Sequence, residues 1–269
     1  MTRQRLGQHF LAVSNWQRRI AETLPLRAGE TWVEIGPGHG EMTSLLAGDG
    51  RRVVAIETDG RLAERLRERV GGDSHRDGGL AGVEVVRADV LQVDFAKVVG
   101  EAASSQFRVY GNLPYYITSP ILHHLFRWAD RILSIHIVVQ FEVAARIVAS
   151  PRRRDYGYLS VMCRFYAKPE IVLRIPPGAF RPPPRVTSAL VKMMLPGERA
   201  ALGIADEQRF LEFVQLCFSQ KRKTLRNNLR SRASDDRIHA VLAACGLPAD
   251  ARAEQLTLSQ FAALFKSLS

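Results

Sequence analysis

The sequence predicts an α/β protein, with a doubly wound, mostly parallel sheet followed by a small all-helical C-terminal domain. Strand and helix patterns alternate from about residue 31 to about residue 196, and only helical periodicity appears from about residue 198. A glycine-rich turn also follows the first strong strand. Such alternation is typical of a sheet with helices on both faces. We therefore divide the chain into residues 1–197 and residues 198–269.

The charge balance points to a polyanionic partner. The 269 residues carry 38 Lys and Arg against 27 Asp and Glu, a net charge of +11 with a pI near 10.1. This excess favours nucleic acid before a membrane surface, although charge alone does not choose between them. The apolar content of 46% is that of an ordinary globular protein with a sizeable core.

Nothing in the sequence indicates export, membrane insertion or metal binding. No apolar run follows the N-terminal Met-Thr-Arg-Gln-Arg, and no window approaches the ~20 apolar residues of a membrane span. Cys163, Cys217 and Cys245 match no zinc spacing and are interpreted as buried thiols in a reducing compartment. Adjacent His123 and His124 cannot share one helical face. We expect a cytoplasmic protein without a metal, and nothing demands more than a monomer.

The glycine-rich turn lies between an apolar strand that starts at Thr31 and an apolar helix. Its pattern is Glu-x-Gly-x-Gly-x-Gly, and Glu41 stands where the third glycine of a dinucleotide fingerprint belongs. Gly36 and Gly38 let the backbone approach a ligand closely. A pyrophosphate would be repelled by Glu41, so a ligand with an amino group or a sulfonium cation is favoured over a dehydrogenase cofactor.

Acidic residues end the next two predicted strands, at 52–57 and 83–89. Glu57 follows the glycine turn by about twenty residues, where α/β nucleotide sites place the acceptor for ribose hydroxyls. Asp89 suits the amino edge of an adenine. The alternative for each acid is a helix N-cap or a first-turn charge. A helix at 61–70 and a Gly-rich loop at 71–82 lie between them.

The fourth predicted strand runs into Gly-Asn-Leu-Pro-Tyr, residues 111–115. Asn112 offers an amide that accepts and donates hydrogen bonds. Pro114 pushes Leu113 into an extended conformation and holds its carbonyl in place. Tyr115 adds a flat face with a polar tip. This combination suits a flat, amino-bearing ring such as a nucleobase, and the alternative is a plain strand-to-proline turn.

The remaining elements are predicted from periodicity, and three features among them stay open. A Pro-rich loop at 176–185 presents Phe180 either as a core staple or as a stacking plate for a base. A basic turn of Arg152, Arg153 and Arg154 is either solvated or a phosphate contact. We expect helices at 117–128, 141–149, 210–218, 221–232, 237–245 and 258–268, and strands at 132–139, 158–166, 170–175 and 188–194. The helix at 221–232, densely basic between its leucines, suits either phosphate contact or a solvated surface.

Five motifs in order resemble the ribosomal RNA adenine N6,N6-dimethyltransferases (KsgA-type), which use S-adenosylmethionine. They are Gly-Gln-His-Phe-Leu, Glu-Ile-Gly-Pro-Gly-His-Gly, Asn-Leu-Pro-Tyr, Ala-Phe-Arg-Pro-Pro-Pro-Arg-Val and Lys-Arg-Lys-Thr-Leu-Arg-Asn-Asn-Leu. The match covers the chain from Leu6 to the final helices. It implies a Rossmann-like methyltransferase sheet and a helical RNA-binding domain. It also implies dimethylation of two adjacent adenosines in a hairpin loop near the 3′ end of small-subunit ribosomal RNA, with a role in ribosome biogenesis.

The resemblance also implies roles for individual residues. Asn112, Leu113, Pro114 and Tyr115 would form the catalytic turn, opposite Phe180 as a stacking face. The cofactor contacts would be Gln8, His9, Leu11, Gly36, Gly38, Glu57, Asp89 and Asn112. The charge pattern, apart from the resemblance, makes Arg152, Arg153, Arg154, Lys221, Arg222, Lys223 and Arg226 the candidate RNA contacts. The family pattern is often Gln-Asn-Phe, so His9 in place of the Asn changes one contact.

The same motifs allow three other interpretations of the protein's function. The large-subunit adenine methyltransferases of macrolide resistance share the cofactor and the Asn-Leu-Pro-Tyr-like turn. The basic segment at 221–229 and the loop that carries Phe180 favour the small-subunit reading. A mitochondrial transcription-factor relative is disfavoured because no transit segment precedes Gly7. A non-catalytic assembly factor for immature small subunits would retain the basic surface, and this role is compatible with catalysis.

Overall fold

The computed structural model describes residues 9–71, 80–100, 105–114 and 117–268. They fall into two units, one within Met1–Ala144 and Glu170–Leu195 and the other within Ala145–Pro169 and Pro196–Ser269. The second unit thus takes in residues 145–169 as well as the C-terminal segment. Predicted strands and helices of the first half are present, with bounds that shift by a few residues.

A seven-stranded mixed sheet forms the centre of the first unit. Its strands are β2 (Thr31–Ile35), β3 (Arg52–Glu57), β4 (Val83–Arg87), β5 (Phe107–Asn112), β6 (Ile132–Gln140), β7 (Lys168–Ile175) and β9 (Ser188–Met194). They lie in the order β4-β3-β2-β5-β6-β9-β7. The pairs among β4, β3, β2, β5 and β6 are parallel, and β9 is antiparallel to β6. The short strands β1 (Phe10–Leu11) and β8 (Phe180–Arg181) form a separate antiparallel pair.

This strand order positions a binding cleft. Within the sheet, β3 and β4 follow β2 towards one edge. The next strand in the chain, β5, lies on the opposite side of β2, towards the other edge. At such a reversal the loops leave the carboxyl ends of neighbouring strands in opposite directions, and a crevice opens between them. The strands beneath are apolar and buried, with Val33, Val54 and Val109 each 0% exposed. The carboxyl ends of β2 and β5 are therefore held on a rigid base.

The helices follow the sheet strands and fill the second unit. In chain order they are α1 (Ser14–Ala21), α2 (Glu41–Leu46), α3 (Gly60–Gly71), α4 (Phe95–Val99), α5 (Thr118–Phe126), α6 (Phe141–Val148), α7 (Tyr158–Tyr166), α8 (Arg199–Leu202), α9 (Glu207–Cys217), α10 (Leu225–Leu229), α11 (Asp235–Ala244) and α12 (Leu258–Leu268).

The strand predicted at 158–166 is wrong, because these residues form α7. The side chain of Ser160 accepts a hydrogen bond from the Gly157 N–H at 3.2 Å and so caps the first turn. Most of the helix is buried on every side, including Leu159, Val161 and Phe165. A short apolar run that is buried all round carries no helical period in its sequence, and its β-branched and aromatic residues resemble a strand.

The single basic helix predicted at 221–232 is also wrong. Only Leu225–Leu229 is helical, and Thr224 caps it by accepting from the Asn227 N–H. The buried side chain of Asn228 donates to the carbonyls of Cys217 at 2.6 Å and Gln220 at 3.3 Å. These bonds hold residues 218–223 in a turn, so Lys221, Arg222 and Lys223 precede the helix instead of lying on it.

Candidate active site

The carboxyl ends of the central strands line a cleft in the first unit. It is lined by His9, Phe10, Ile35, Gly36, Gly38, Ile56, Glu57, Thr58, Ala88, Asp89, Val90, Asn112, Leu113, Pro114, Ile117 and Ile121. The structure thus brings together residues predicted for the cofactor and residues predicted for the catalytic turn. Two predicted site residues, Gln8 and Tyr115, lie outside the described residues.

The glycine turn and Glu57 form one hydrogen-bonded unit. Gly36 and Gly38 have φ of +69° and +60°, and a Cβ on Gly38 would lie 2.9 Å from the ring of Phe10. The Gly38 N–H donates to Glu57 Oε2 at 3.2 Å, while the Asp59 N–H donates to Oε1 at 2.9 Å. Burial raises the pKa of Glu57. The carboxyl at the end of β3 is therefore fixed at the cleft wall as an acceptor.

Asp89 has the N-cap role that the sequence offered as the alternative, and it also lies in the wall of the cleft. It is the N-cap of a 3-10 turn at Val90–Gln92, and its Oδ1 accepts from the Leu91 N–H at 3.0 Å. It also lines the cleft beyond Glu57. Because β4 and β3 are neighbours, the two acids follow one another along the same edge of the sheet.

The turn at Asn112, Leu113 and Pro114, which the sequence predicts to be catalytic, is held in one orientation. The Asn112 side chain donates from Nδ2 to the His9 carbonyl at 2.8 Å. Since a carbonyl only accepts, this contact assigns the amide orientation and leaves Oδ1 as the acceptor. The Leu113 N–H donates to the Val138 carbonyl at 3.1 Å, and Pro114 follows. The adjacent Gly111 is required, because a Cβ there would lie 2.8 Å from the Leu113 side chain.

The N-terminal segment closes one side of the cleft. His9 contacts the Pro182 carbonyl through Nδ1 at 2.7 Å. Leu11 is buried in the core and pairs with Phe180 through β1 and β8. Phe180 is 0% exposed and belongs to the same core cluster. Phe180 is therefore a core residue and not the expected stacking face, because a fully buried ring offers no face to a base.

Sequence reasoning missed two residues near the cleft. Phe10 lies against the glycine turn, with its ring centroid 4.7 Å from that of His39. Tyr110 lies two residues before Asn112 on β5, beside Glu34 on β2. The period of two along a strand was a usable signal, because it places Tyr110 on the same face as Asn112.

The residues predicted for RNA lie together in the second unit. The name basic surface is used below for seven residues: Arg152, Arg153, Arg154, Lys221, Arg222, Lys223 and Arg226. All seven side chains are exposed. Lys221 Nζ donates to the Arg154 carbonyl at 2.6 Å and lies 4.0 Å from Glu254. The Arg152 N–H donates to the Glu254 carbonyl at 2.7 Å. Lys221 and Glu254 therefore connect the two basic turns.

Other kinds of site are not indicated within the part of the chain that the structure describes. Over residues 9–71, 80–100, 105–114 and 117–268, no three His, Cys, Asp or Glu side chains are grouped to hold a metal ion. In the same ranges, no helix has the length and apolarity to cross a membrane. Cys163 and Cys217 are buried as predicted, and burial raises the pKa of both thiols. Cys245 is partly exposed.

The sheet order, the glycine turn and the acids along its edge define a Rossmann-like methyltransferase with a helical C-terminal region. The chain belongs to the ribosomal RNA adenine dimethylase family, whose model matches residues 1–269. It is 43% identical over 265 residues to a ribosomal RNA small subunit methyltransferase A of Acidobacterium capsulatum, covering 98% of this chain and 90% of that one. A protein of the same name from Acinetobacter baylyi is 37% identical over 262 residues, covering 97% and 90%.

Solved structures give the same fold. A dimethyladenosine transferase from Plasmodium falciparum superposes with a TM-score of 0.78 at 23% identity, over 95% of this chain and 96% of that one. The 23S rRNA methyltransferase ErmE superposes with a TM-score of 0.67 at 30% identity, over 96% and 99%.

Proposed function

We propose that this protein transfers methyl groups from S-adenosylmethionine to N6 of adenosines in small-subunit ribosomal RNA and forms N6,N6-dimethyladenosine. The orientation of Asn112 carries the proposal, because its Oδ1 is left as an acceptor at the end of the cleft. The relatives named as small-subunit methyltransferases, at 37% to 43% identity, support the choice of RNA.

The described residues fit the cofactor. Both Gly36 and Gly38 have positive φ, and a Cβ on Gly36 would have only the Asn112 carbonyl oxygen near it, at 4.0 Å, so a ligand can approach the backbone at Gly36. Glu57 suits the ribose hydroxyls, and Asp89 suits the amino group of the cofactor's adenine. When bound, S-adenosylmethionine supplies an electrophilic methyl group on a sulfonium. The hydrogen bond from Asn112 to the His9 carbonyl supports the proposal that the N-terminal segment borders the methionine end.

The turn activates and aligns the target nitrogen. The lone pair of an exocyclic adenine nitrogen is delocalised into the ring, so the nitrogen is a poor nucleophile. Asn112 Oδ1 and the Leu113 carbonyl accept its N–H groups and favour a more pyramidal, more nucleophilic nitrogen. We expect Tyr115, which lies outside the described residues, to stack on the ring. Fixed alignment for an in-line displacement lowers the barrier by several kcal/mol.

Binding of the RNA depends on charge, and methyl transfer depends on access to an unpaired base. The basic surface binds phosphates of small-subunit RNA through exposed Arg and Lys side chains. The target adenosines lie in a loop or are flipped out, because pairing hides the edge that Asn112 reads. We further propose that a cytoplasmic monomer acts on immature small subunits and contributes to their assembly.

Transfer of labelled methyl groups to two acceptors in parallel tests this proposal. Undermethylated small subunits and large-subunit RNA are incubated with the protein and tritiated S-adenosylmethionine. We expect label on the small subunit, recovered as N6,N6-dimethyladenosine. Label on large-subunit RNA alone would assign the activity of the ErmE-like relatives instead. If neither acceptor takes label while small subunits still bind, the chain is an assembly factor and the catalytic role of Asn112 is wrong.

A further inference from the structure

Two arginines continue the basic surface along α10. Arg226, which belongs to that surface, and Arg230, which does not, stand one helical turn apart on the exposed side of the helix and its C-cap. The opposite side carries Leu225, Asn228 and Leu229, which are buried. Residues four apart on a helix are neighbours on its surface, so the two guanidinium groups are close enough to bind the same ion.

Both guanidinium groups converge on one carboxylate, that of Asp235 at the start of α11. Arg230 donates from Nε to Oδ1 at 3.2 Å and from Nη2 to Oδ2 at 3.4 Å. Arg226 Nη2 lies 3.3 Å from Oδ2. Paired N–H groups that meet two oxygens of one anion are the arrangement in which arginine binds either a carboxylate or a phosphate. The carboxylate therefore occupies a site whose donors would also fit a phosphate.

Helix α11 does not need this carboxylate as a cap. Ser234 is the N-cap, and its Oγ accepts from the Arg237 N–H at 3.4 Å. Asp236 places a second acid in the first turn, where the partial positive charge of the helix end favours one. The hydrogen bond from Arg230, with the nearby charge of Arg226, lowers the pKa of Asp235. Asp235 is thus ionised at neutral pH, and its contacts are those of an anion bound by two arginines.

We propose that Arg226 and Arg230 form a binding site for a phosphate of the RNA backbone, which the Asp235 carboxylate occupies in the free protein and leaves when the RNA binds. The inference rests on the proposed function and adds Arg230 to its RNA contacts. The side chains of these three residues are 46%, 55% and 43% exposed, in the order named. Water and salt therefore screen the ion pairs and make them weak. Phosphates bound to the rest of the basic surface would keep a neighbouring phosphate close to the site, which favours the exchange.

The exchange gives the charge of Asp235 a specific effect on RNA binding. Neutralising it removes the anion that competes with the RNA, so the affinity rises, but only while Arg226 and Arg230 are present. A general electrostatic effect would instead follow from any acid in this region. Asp236 supplies the comparison, because it is the next residue, is exposed and has the same charge. None of the ion pairs within the described ranges of the chain includes it.

Binding of the full-length protein to small-subunit ribosomal RNA at constant low salt tests the site without turnover. We expect Asp235→Asn to bind the RNA about threefold or more tightly than the wild type, and Asp236→Asn to differ from it by less than about twofold. The double variant Arg226→Ala with Arg230→Ala binds more weakly than the wild type. Adding Asp235→Asn to that double variant changes its affinity by less than about twofold, because the acid then has no arginine to occupy.

Arg230→Gln provides a milder variant that removes one charge outside the basic surface. We expect it to weaken RNA binding and to reduce the gain from Asp235→Asn. Equal gains in Asp235→Asn and Asp236→Asn would show that Asp235 acts only through net charge, and a loss of affinity in Asp235→Asn would show that it orients the arginines instead of competing. Either result overturns the inference while the proposed function stands. If the wild type does not bind small-subunit RNA, the proposed function itself is wrong, and the inference is wrong with it.

Discussion

The Asn112 side chain donates a hydrogen bond to the His9 carbonyl, 103 residues earlier in the chain, over 2.8 Å. The ring of His9 also forms a hydrogen bond, from Nδ1 to the Pro182 carbonyl. The N-terminal segment therefore sets the orientation of the amide on which the proposed catalysis depends. His9 stands where the family often has Asn, but the bond to Asn112 comes from its main chain and does not require an Asn side chain.

Glu34→Gln should change how stability depends on pH. The pKa of Glu34 is raised from 4.5 to about 8 in the folded protein. Between these values the folded state holds a proton that the unfolded state releases, so wild-type stability falls as pH rises. The Gln side chain does not titrate. We expect its unfolding free energy, relative to wild type, to increase by more than about 1 kcal/mol from pH 5.5 to pH 8.

Urea unfolding at the two pH values measures this difference. Glu68→Gln, at an exposed position on α3, is the matched control and should follow the wild type. Parallel pH profiles for the wild type and Glu34→Gln would show that Glu34 ionises normally in the folded protein.

Gly38→Ala should damage the cofactor site. The new Cβ would lie 2.9 Å from the Phe10 ring, at a residue whose φ is +60°. The backbone would have to move to relieve this contact, and the Gly38 N–H that donates to Glu57 would move with it. We expect a stability loss of about 1–2 kcal/mol from the backbone strain and a loss in S-adenosylhomocysteine affinity of about tenfold or more. Calorimetric titration measures the affinity, and thermal unfolding measures the stability.

Gly71→Ala is the control for this substitution, because nothing lies within 4 Å of the added Cβ and its φ is not positive. Unchanged affinity in Gly38→Ala would mean that the ligand does not approach this part of the turn.

Neutralising the basic surface should weaken RNA binding in a salt-dependent way. Arg222→Ala with Lys223→Ala removes two exposed cations and leaves the Lys221 bond to Arg154 in place. If both side chains contact phosphates, the slope of log affinity against log salt concentration falls in magnitude by about 1.4, or about 0.7 for each contact. Filter binding to small-subunit RNA at several salt concentrations measures it.

A double substitution of Arg61 and Arg65 to Ala on the exposed side of α3 provides the comparison of equal charge. If both double variants change the slope equally, binding depends on net charge and not on the basic surface.

The sequence predicted the parts of the fold where local pattern and tertiary structure agree. The strands that end at Ile35, Glu57 and Asn112 are apolar runs, and each leads into a turn with special backbone chemistry. Those turns also carry the proposed site, so its residues are found together in the cleft. A glycine turn that needs positive φ, and an acid at a strand end, are signals that a single sequence retains.

The sequence did not predict features that depend on distant contacts. The sequence of α7 shows no helical period because the helix is buried on all sides, and the turn at 218–223 depends on the buried amide of Asn228. The pairing of Leu11 with Phe180 joins segments far apart in the chain and takes the Phe180 ring into the core. No local period reports such contacts, and for Phe180 both alternatives therefore stayed open.

The central claim is that Asn112 Oδ1 accepts a hydrogen bond from the target nitrogen. Single-turnover methyl transfer to undermethylated small subunits by Asn112→Ala tests it most directly, with S-adenosylhomocysteine affinity measured on the same sample. Asn15→Ala, at an exposed position on α1, is the control. We expect transfer to fall about 100-fold or more, equivalent to about 2.7 kcal/mol in the barrier, while affinity stays within about threefold of wild type. Transfer near the wild-type rate in Asn112→Ala would contradict the account.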